Sequence, residues 1–364
     1  MPTANASLGR ALRALGCVVD NLYLEDCPAY VRRRRLNYPL FGVAAWARVR
    51  RLEAERGSYD VIQISGGDGY IAPLLRRDRD GRRRLIVARS HGLEHRYWEA
   101  FRLATSAGLT TTTLRHRAYF GSLRLRQVEW AIRAADLLNC HTPDDAEYVT
   151  ARGWKRPSQI VILPSGIEPA WLNLSPDPTT TTRRVLFCGS WTWMKGVSIL
   201  VPVFERLAAA DPEATLTAAG TGVGPDAVRA LFSPAVRDRV TVLPDVSHDE
   251  ILATMRRHDL LLATSLFEGF GTVVIEAMAV GLPVVAAAVG GALDHVVTGK
   301  TGYLVPPGDV DGFVGACRSL LASSASERRK LATAAAEAVS VLAWPRVASA
   351  TLAAYADALK ELQG

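Results

Sequence analysis

The sequence predicts an α/β fold built on parallel sheets, and three observations carry that reading. Short apolar, β-branched runs recur along the chain. Longer segments between them hold apolar residues at helical spacing, and glycines and prolines punctuate the joins. Strands covered by helices on both faces lose the alternation of half-exposed strands and read as continuous apolar runs, as these do. At 364 residues, 49% hydrophobic and 22% charged, the chain has ordinary globular composition and room for two domains.

Residues 6–16 (ASLGRALRALG) read as a helix. The expected strands are 85–88 (LIVA), 159–163 (QIVIL), 185–188 (VLFC), 214–219 (ATLTAA), 240–243 (VTVL), 260–263 (LLLA) and 284–287 (VVAA). Segments 197–210, 247–257 and 312–322 carry the helical spacing, and a further helix begins near Thr272. Two prolines and four threonines in 173–184 (NLSPDPTTTTRR) mark a linker between an N-terminal domain, 1–172, and a C-terminal domain, 185–343. A last helix, 344–364, opens on Trp-Pro and finds few partners in its own neighbourhood, so it is expected to cross back to the N-terminal domain.

Charge divides along the same line. Residues 1–175 hold 27 basic against 17 acidic side chains, a net of +10, and residues 176–364 hold 16 against 19, a net of −3. The basic half is expected to meet something anionic. Five cysteines, odd in number and without C-x-x-C spacing, indicate neither a disulfide framework nor a zinc knuckle, which fits a reducing cytoplasm. The N-terminus lacks the apolar core of a signal peptide, and no stretch is long and apolar enough to span a membrane.

The most informative stretch is 264–291, TSLFEGFGTVVIEAMAVGLPVVAAAVGG: strand end, glycine-rich loop, helix, tight turn, strand. Gly269 and Gly271 allow a ligand to approach the backbone, and the amides of a helix starting at Thr272 suit a diphosphate. Glu268 and Glu276 beside an anion site are suited to accept hydrogen bonds from sugar hydroxyls. The plainer alternative makes Glu268 a helix cap and Glu276 part of a solvated face. A second loop, 185–196 (VLFCGSWTWMKG), places Gly189 and Lys195 before a helix, where an ammonium can neutralise a phosphate or simply face solvent. A third, 219–225 (AGTGVGP), has G-x-G spacing but lacks the rest of a dinucleotide fingerprint and reads as a turn.

In combination, EGFG…EAMAVGLPVV, Gly290-Gly291, TGKTGYLVPPGD (298–309) and the GSWTWMKG loop resemble the retaining GT-B glycosyltransferases of family 4. More loosely, YDVIQIS (59–65), ARSHGLEHRYWE (88–99), AADLLNCHT (134–142) and LPSGIE (163–168) follow the family's order in the N-terminal half. The resemblance implies two Rossmann-like domains facing a cleft and a nucleotide-sugar donor as co-substrate, with no metal cofactor. It implies that Glu268 contacts hydroxyls of the donor sugar and Glu276 the ribose. Gly189 lies in the donor loop, Phe270, Gly271 and Thr272 hold the diphosphate and sugar through backbone amides, Lys195 counters phosphate charge, and His91 faces the reacting sugar. Catalysis then consists of stabilising the departing diphosphate and orienting a glycan, lipid-linked or secondary-metabolite acceptor.

Two features depart from the family pattern. Ser190 stands where an arginine is common, and the chain reads as beginning inside the first helix, without the strand and glycine-rich loop that normally precede it. A misassigned start, a truncation or a degenerate, silent first domain would each account for this. The silent homologue, binding a nucleotide sugar or a partner enzyme, is therefore the second functional reading. Three other patterns compete weakly. His91-Gly-Leu-Glu94-His95 matches H-x-x-E-H zinc spacing, which needs both histidines on one helix face, whereas Gly92 after a strand favours a loop. Asp78-Arg-Asp80 and Asp309-Val-Asp311 imitate a D-x-D metal motif but sit in an Arg-rich turn and at a helix start. Arg32–Arg35, an apolar segment with Tyr38 and Trp46, and Arg48, Arg50 and Arg51 could dock on an anionic membrane or form a core helix with a charged rim. Nucleic acid is not expected, since no recognition module accompanies the arginines.

Overall fold

The computed structural model describes residues 4–28, 37–172 and 183–363. Most of the expected linker and the arginines 32–35 lie outside the described residues. The chain forms two compact units. The first comprises the described residues up to 99 with 111–164 and 345–363; the second comprises 100–110 and 165–344.

The first unit holds a sheet of four parallel strands in sequential order: β1 (Val61–Ser65), β2 (Leu85–Arg89), β3 (Leu137–Cys140) and β4 (Ile160–Ile162). Among the described residues no strand precedes β1. The 159–163 expectation shortens to β4 because Gln159 closes the 3-10 turn Pro157–Gln159. Strand alternation sends Ile86, Ala88, Leu138 and Cys140 to one face, against Ile71 and the helix Leu125–Ala134. Leu85, Val87 and Leu137 point to the other, where Tyr355 of the helix Trp344–Gln363 covers them. The Tyr355 hydroxyl donates to Gln63 Oε1 at 2.8 Å and accepts from Asn139 Nδ2 at 3.1 Å, tying that helix to β1 and β3. The helix Asn37–Arg56 turns Trp46 and Val49 onto the core, and Gly42 sits so close under Tyr70 that a Cβ would lie 2.8 Å from the ring. Val43 on the same helix is exposed. Among the described residues no helix is long and apolar enough to cross a membrane.

The second unit holds β5 (Arg184–Cys188), β6 (Thr215–Ala219), β7 (Val240–Leu243), β8 (Leu260–Ala263), β9 (Val284–Ala287) and β10 (Tyr303–Val305). All pair in parallel, in the order β10-β9-β8-β5-β6-β7. The chain builds outward from β5 through β7, then returns to lay β8 on the other side of β5. Successive crossovers on the two sides of that point leave a crevice beyond the carboxyl ends of β5 and β8, the usual ligand position in open α/β sheets.

Tyr355→Phe should cost ~1–2 kcal/mol, since it strips the Gln63 and Asn139 amides of a buried partner. Urea unfolding followed by a probe in the first unit measures it, and wild-type stability would contradict this account of how the helix is held.

Candidate functional site

The sequence-derived donor residues converge on the crevice of the second unit. After β5 the chain passes Gly189, whose amide donates to Ala219 O at 2.9 Å, and enters the 3-10 turn Trp193–Lys195. Gly196 then takes a left-handed conformation (φ 65°) and the helix Val197–Ala210 begins. From the other side, Thr264 at the end of β8 is fully buried, and its hydroxyl lies 3.1 Å from Lys195 O and 3.0 Å from Gly196 O. A Cβ on Gly196 would stand 1.8 Å from Thr264 O, so only glycine lets the two loops meet.

That contact brings Lys195 to Glu268. Lys195 Nζ donates to Glu268 Oε1 at 2.5 Å, and Ser265 Oγ donates to the same oxygen at 2.7 Å. Both charged side chains are partly exposed, at 23% and 18%. The helix Thr272–Ala279 is capped by Gly271, left-handed at φ 79°, with no side-chain capping bond. Glu268 is thus not the helix cap that the plainer alternative made it. The first amides of this helix have no acceptor within it, and exposed Thr272 stands at its mouth. Phe270 is buried, and its carbonyl accepts from the Gly291 amide at 2.9 Å. The Gly290-Gly291 pair backs this loop closely: a Cβ on Gly291 would lie 2.5 Å from Phe270 O.

Glu276, one turn further on, is half-buried, not on a solvated face. Burial lifts its carboxyl from 4.5 to about 7. Its charge reaches Cys188 at the end of β5, whose thiol is pushed up to about 12 chiefly by burial and then by Glu276. The two carboxylates therefore sit in different surroundings, one held by a lysine and a hydroxyl, the other desolvated.

His91 belongs to the first unit, just past β2. Its Nε2 lies 3.4 Å from Ser65 Oγ and its Nδ1 3.2 Å from His141 Nε2. The zinc-like HGLEH pattern does not form a ligand set. His91 precedes the helix Glu94–Ser106, Glu94 accepts from Arg124 at 2.8 Å, and His95 packs on Trp154. Asp78 accepts from the Asp80 and Arg82 amides within a turn, and Asp309 caps the helix Val310–Ala322 by accepting from the Gly312 amide. No three metal-ligating side chains converge among the described residues.

Sequence reasoning missed Ser265, Thr264, Gly196 and His141. Ser265 had a signal: S-x-x-E spacing usually marks a helix start, and here the serine holds the glutamate in a turn. Thr264 and Gly196 carry none, because their role is a contact between segments 68 residues apart.

Residues 182–323 match the sequence profile of the family described as Glycosyl transferases group 1. A glycogen synthase of Mycobacterium tuberculosis is 32% identical over 262 residues, covering 69% of this chain and 61% of that protein. The chain thus spans about three fifths of that relative's length. Among solved structures, a sucrose-phosphate synthase from Thermosynechococcus elongatus superposes with a TM-score of 0.75 at 23% identity, over 97% of this chain and 92% of the other. Anabaena HepE in complex with UDP gives 0.67 at 20% identity, over 88% and 84%. The fold is the α/β GT-B fold that the sequence motifs implied.

One prediction follows from the buried carboxyl. Folded Glu276 keeps its proton up to about 7, whereas a free glutamate releases it near 4.5. Between those values the folded state binds more protons, so its stability falls as pH rises through that window. Glu276→Gln, always neutral, should raise the ligand-free melting temperature by several degrees at pH 8 and leave it nearly unchanged at pH 4, below both values. An equal shift at both values would refute a titrating Glu276.

Proposed function

We propose that this chain is a retaining, metal-independent glycosyltransferase that moves a hexosyl group from a nucleotide sugar to a glycan, lipid-linked or secondary-metabolite acceptor in the cytoplasm. The observation that carries the reading is the Lys195–Glu268 pair at the mouth of the β5/β8 crevice, beside the amide end of the helix Thr272–Ala279. Residues 182–323, which hold this crevice, match the group 1 glycosyltransferases, and the UDP complex of HepE supports a nucleoside diphosphate as the ligand class.

Without donor, the lysine and glutamate satisfy one another. With donor present, the Lys195 ammonium turns to the diphosphate, while Glu268, kept in place by Ser265, accepts from sugar hydroxyls. Gly189 leaves room beside the phosphates, the amides at Phe270, Gly271 and Thr272 take phosphate oxygens, and Glu276 accepts from the ribose. His91 attends the reacting sugar. As the glycosidic bond to the diphosphate breaks, the leaving oxygens accept the acceptor's proton, and the chain's contribution is to stabilise that charge and align the acceptor.

Release of nucleoside diphosphate from a panel of UDP-, GDP- and other nucleotide sugars, preselected by thermal shift, tests this. Glu268→Ala should lower turnover about 100-fold through lost orientation of the sugar, and chelator should leave the rate unchanged. Ser190 at a position where the family commonly has arginine, and a first sheet whose four strands run in sequence without a reversal, favour the silent homologue as the second reading. Donor binding without turnover under every acceptor tried would establish it.

Peripheral contact with an anionic membrane belongs to the same proposal. Because Trp46 and Val49 are committed to the core, the arginines of 32–51 carry it electrostatically. Flotation with anionic liposomes should show binding that is lost at high salt, and equal binding to neutral vesicles would argue against it.

A further inference from the structure

The first unit arranges polar side chains in register. Ser65, Arg89 and Asn139 are paired positions on β1, β2 and β3, so their side chains leave the same face of the sheet. Two residues further along, just past the strand ends, stand His91 and His141. Their rings stand 5.2 Å apart, and His91 borders a cavity of about 230 Å³ lined on its polar side by Ser65, Asp68, Glu94 and Arg124.

We propose that His141 is a positioning residue that fixes the tautomer of His91, so that His91 presents a bare Nε2 to a hydroxyl-bearing ligand. The inference rests on the reading of His91 as a residue of the transfer site. It follows from donor and acceptor counting along one chain. Leu163 O, a carbonyl, can only accept, and it lies 2.9 Å from His141 Nδ1, so that nitrogen carries a proton. A neutral His141 then has a bare Nε2. That atom sits 3.2 Å from His91 Nδ1, which must donate to it. A neutral His91 is left with a lone pair on Nε2, which Ser65 Oγ faces at 3.4 Å. Ser65 Oγ in turn accepts from Asn5 Nδ2 at 3.3 Å, so its own proton is the one a ligand hydroxyl would replace at His91 Nε2.

Both rings are held neutral. His141 is buried, and desolvation followed by the Arg89 and His91 charges takes it down to about 3. His91 is exposed at the surface, yet desolvation by the protein around its ring and then the Arg89 charge bring it down to about 4. Arg89 itself is 1% exposed, with Nε and Nη1 meeting no partner among the described residues, so its charge is little screened.

A bare Nε2 accepts and cannot donate. It suits a sugar or alcohol hydroxyl and repels a phosphoryl oxygen, so the ligand group at His91 is a hydroxyl. Of the charged groups that line the cavity, Arg124 is matched, donating to Glu94 at 2.8 Å and to Asp68 at 3.1 Å, while Arg89 finds no such match among the described residues. The Glu94 and Asp68 carboxylates add acceptors for hydroxyls.

The test uses the full chain labelled with 15N-histidine. Long-range proton–nitrogen correlation spectra should show His91 with a protonated Nδ1 and a pyridine-type Nε2. His141→Leu should convert His91 to the other tautomer or a mixture and lower kcat/KM for transfer about tenfold, the size of one uncharged hydrogen bond. His141→Gln, whose Oε1 can still accept from His91 Nδ1, should restore the tautomer and most of the rate. A protonated Nε2 on His91 in the wild-type chain, or an unchanged tautomer in a folded His141→Leu chain, would overturn the proposal. His91→Ala at full activity would instead remove His91 from the transfer site and leave the tautomer result standing.

Discussion

The second unit depends on a contact between two backbones. Where β5 and β8 end, the turn Trp193–Lys195 and the buried Thr264 meet with no space for a Cβ at Gly196. The Thr264 hydroxyl is shared between the carbonyls of Lys195 and Gly196. An alanine at 196 would face both the clash and a positive φ, so the site tolerates a single residue type there. Everything chemical follows from this closure. It sets the start of the helix Val197–Ala210, brings Lys195 within 2.5 Å of Glu268, and leaves the Thr272 helix end open beside them. The Gly290-Gly291 turn fixes the same loop from behind, through the Phe270 carbonyl.

Within that frame, surroundings divide the labour of two chemically similar side chains. Glu268 is partly wet, lies against an ammonium and accepts a serine hydroxyl. Glu276 meets no such partner among the described residues and sits where desolvation favours the acid. A ligand hydroxyl donating to Glu276 would offset that desolvation, so ligand binding there and ionisation of Glu276 would be linked. The pair at Lys195 works in the opposite sense. Its mutual attraction would have to be exchanged for contacts with any ligand that takes either partner. Being partly exposed and screened, the pair is a modest obstacle.

The second unit was more legible than the first. VLFC, LLLA and VVAA are observed almost residue for residue, because strands buried on both faces leave little choice but apolar, β-branched side chains. β1 and β3 do not look like this. Gln63 interrupts VIQIS and Asn139 interrupts LLNC, and both amides are explained by Tyr355, more than 200 positions away from each. The Arg-flanked helix Asn37–Arg56 was ambiguous for a related reason: an amphipathic pattern does not say whether a core or a lipid surface covers its apolar side. Glu268 and Lys195 could be found as motif residues. Their hydrogen bond could not, since it is created by the closure at Gly196 and not by spacing along the chain.

The polar interruptions of β1, β2 and β3 also explain how a sheet without a reversal of strand order can carry a polar site. Sequential order gives the first unit no switch-point crevice of the kind that gathers ligands in the second. What it has instead is register. Ser65, Arg89 and Asn139 form one row across three strands, and two residues beyond Arg89 and Asn139 come His91 and His141, with their rings 5.2 Å apart. Apolar residues at those positions would have made a better-packed strand end. With histidines there, the buried Arg89 favours neutral rings, and neutral rings in series can hydrogen-bond in only one direction once a carbonyl terminates the chain at Leu163. The two units thus reach polar chemistry by different physical routes, one by topology and close backbone approach, the other by cross-strand register under a single unscreened charge.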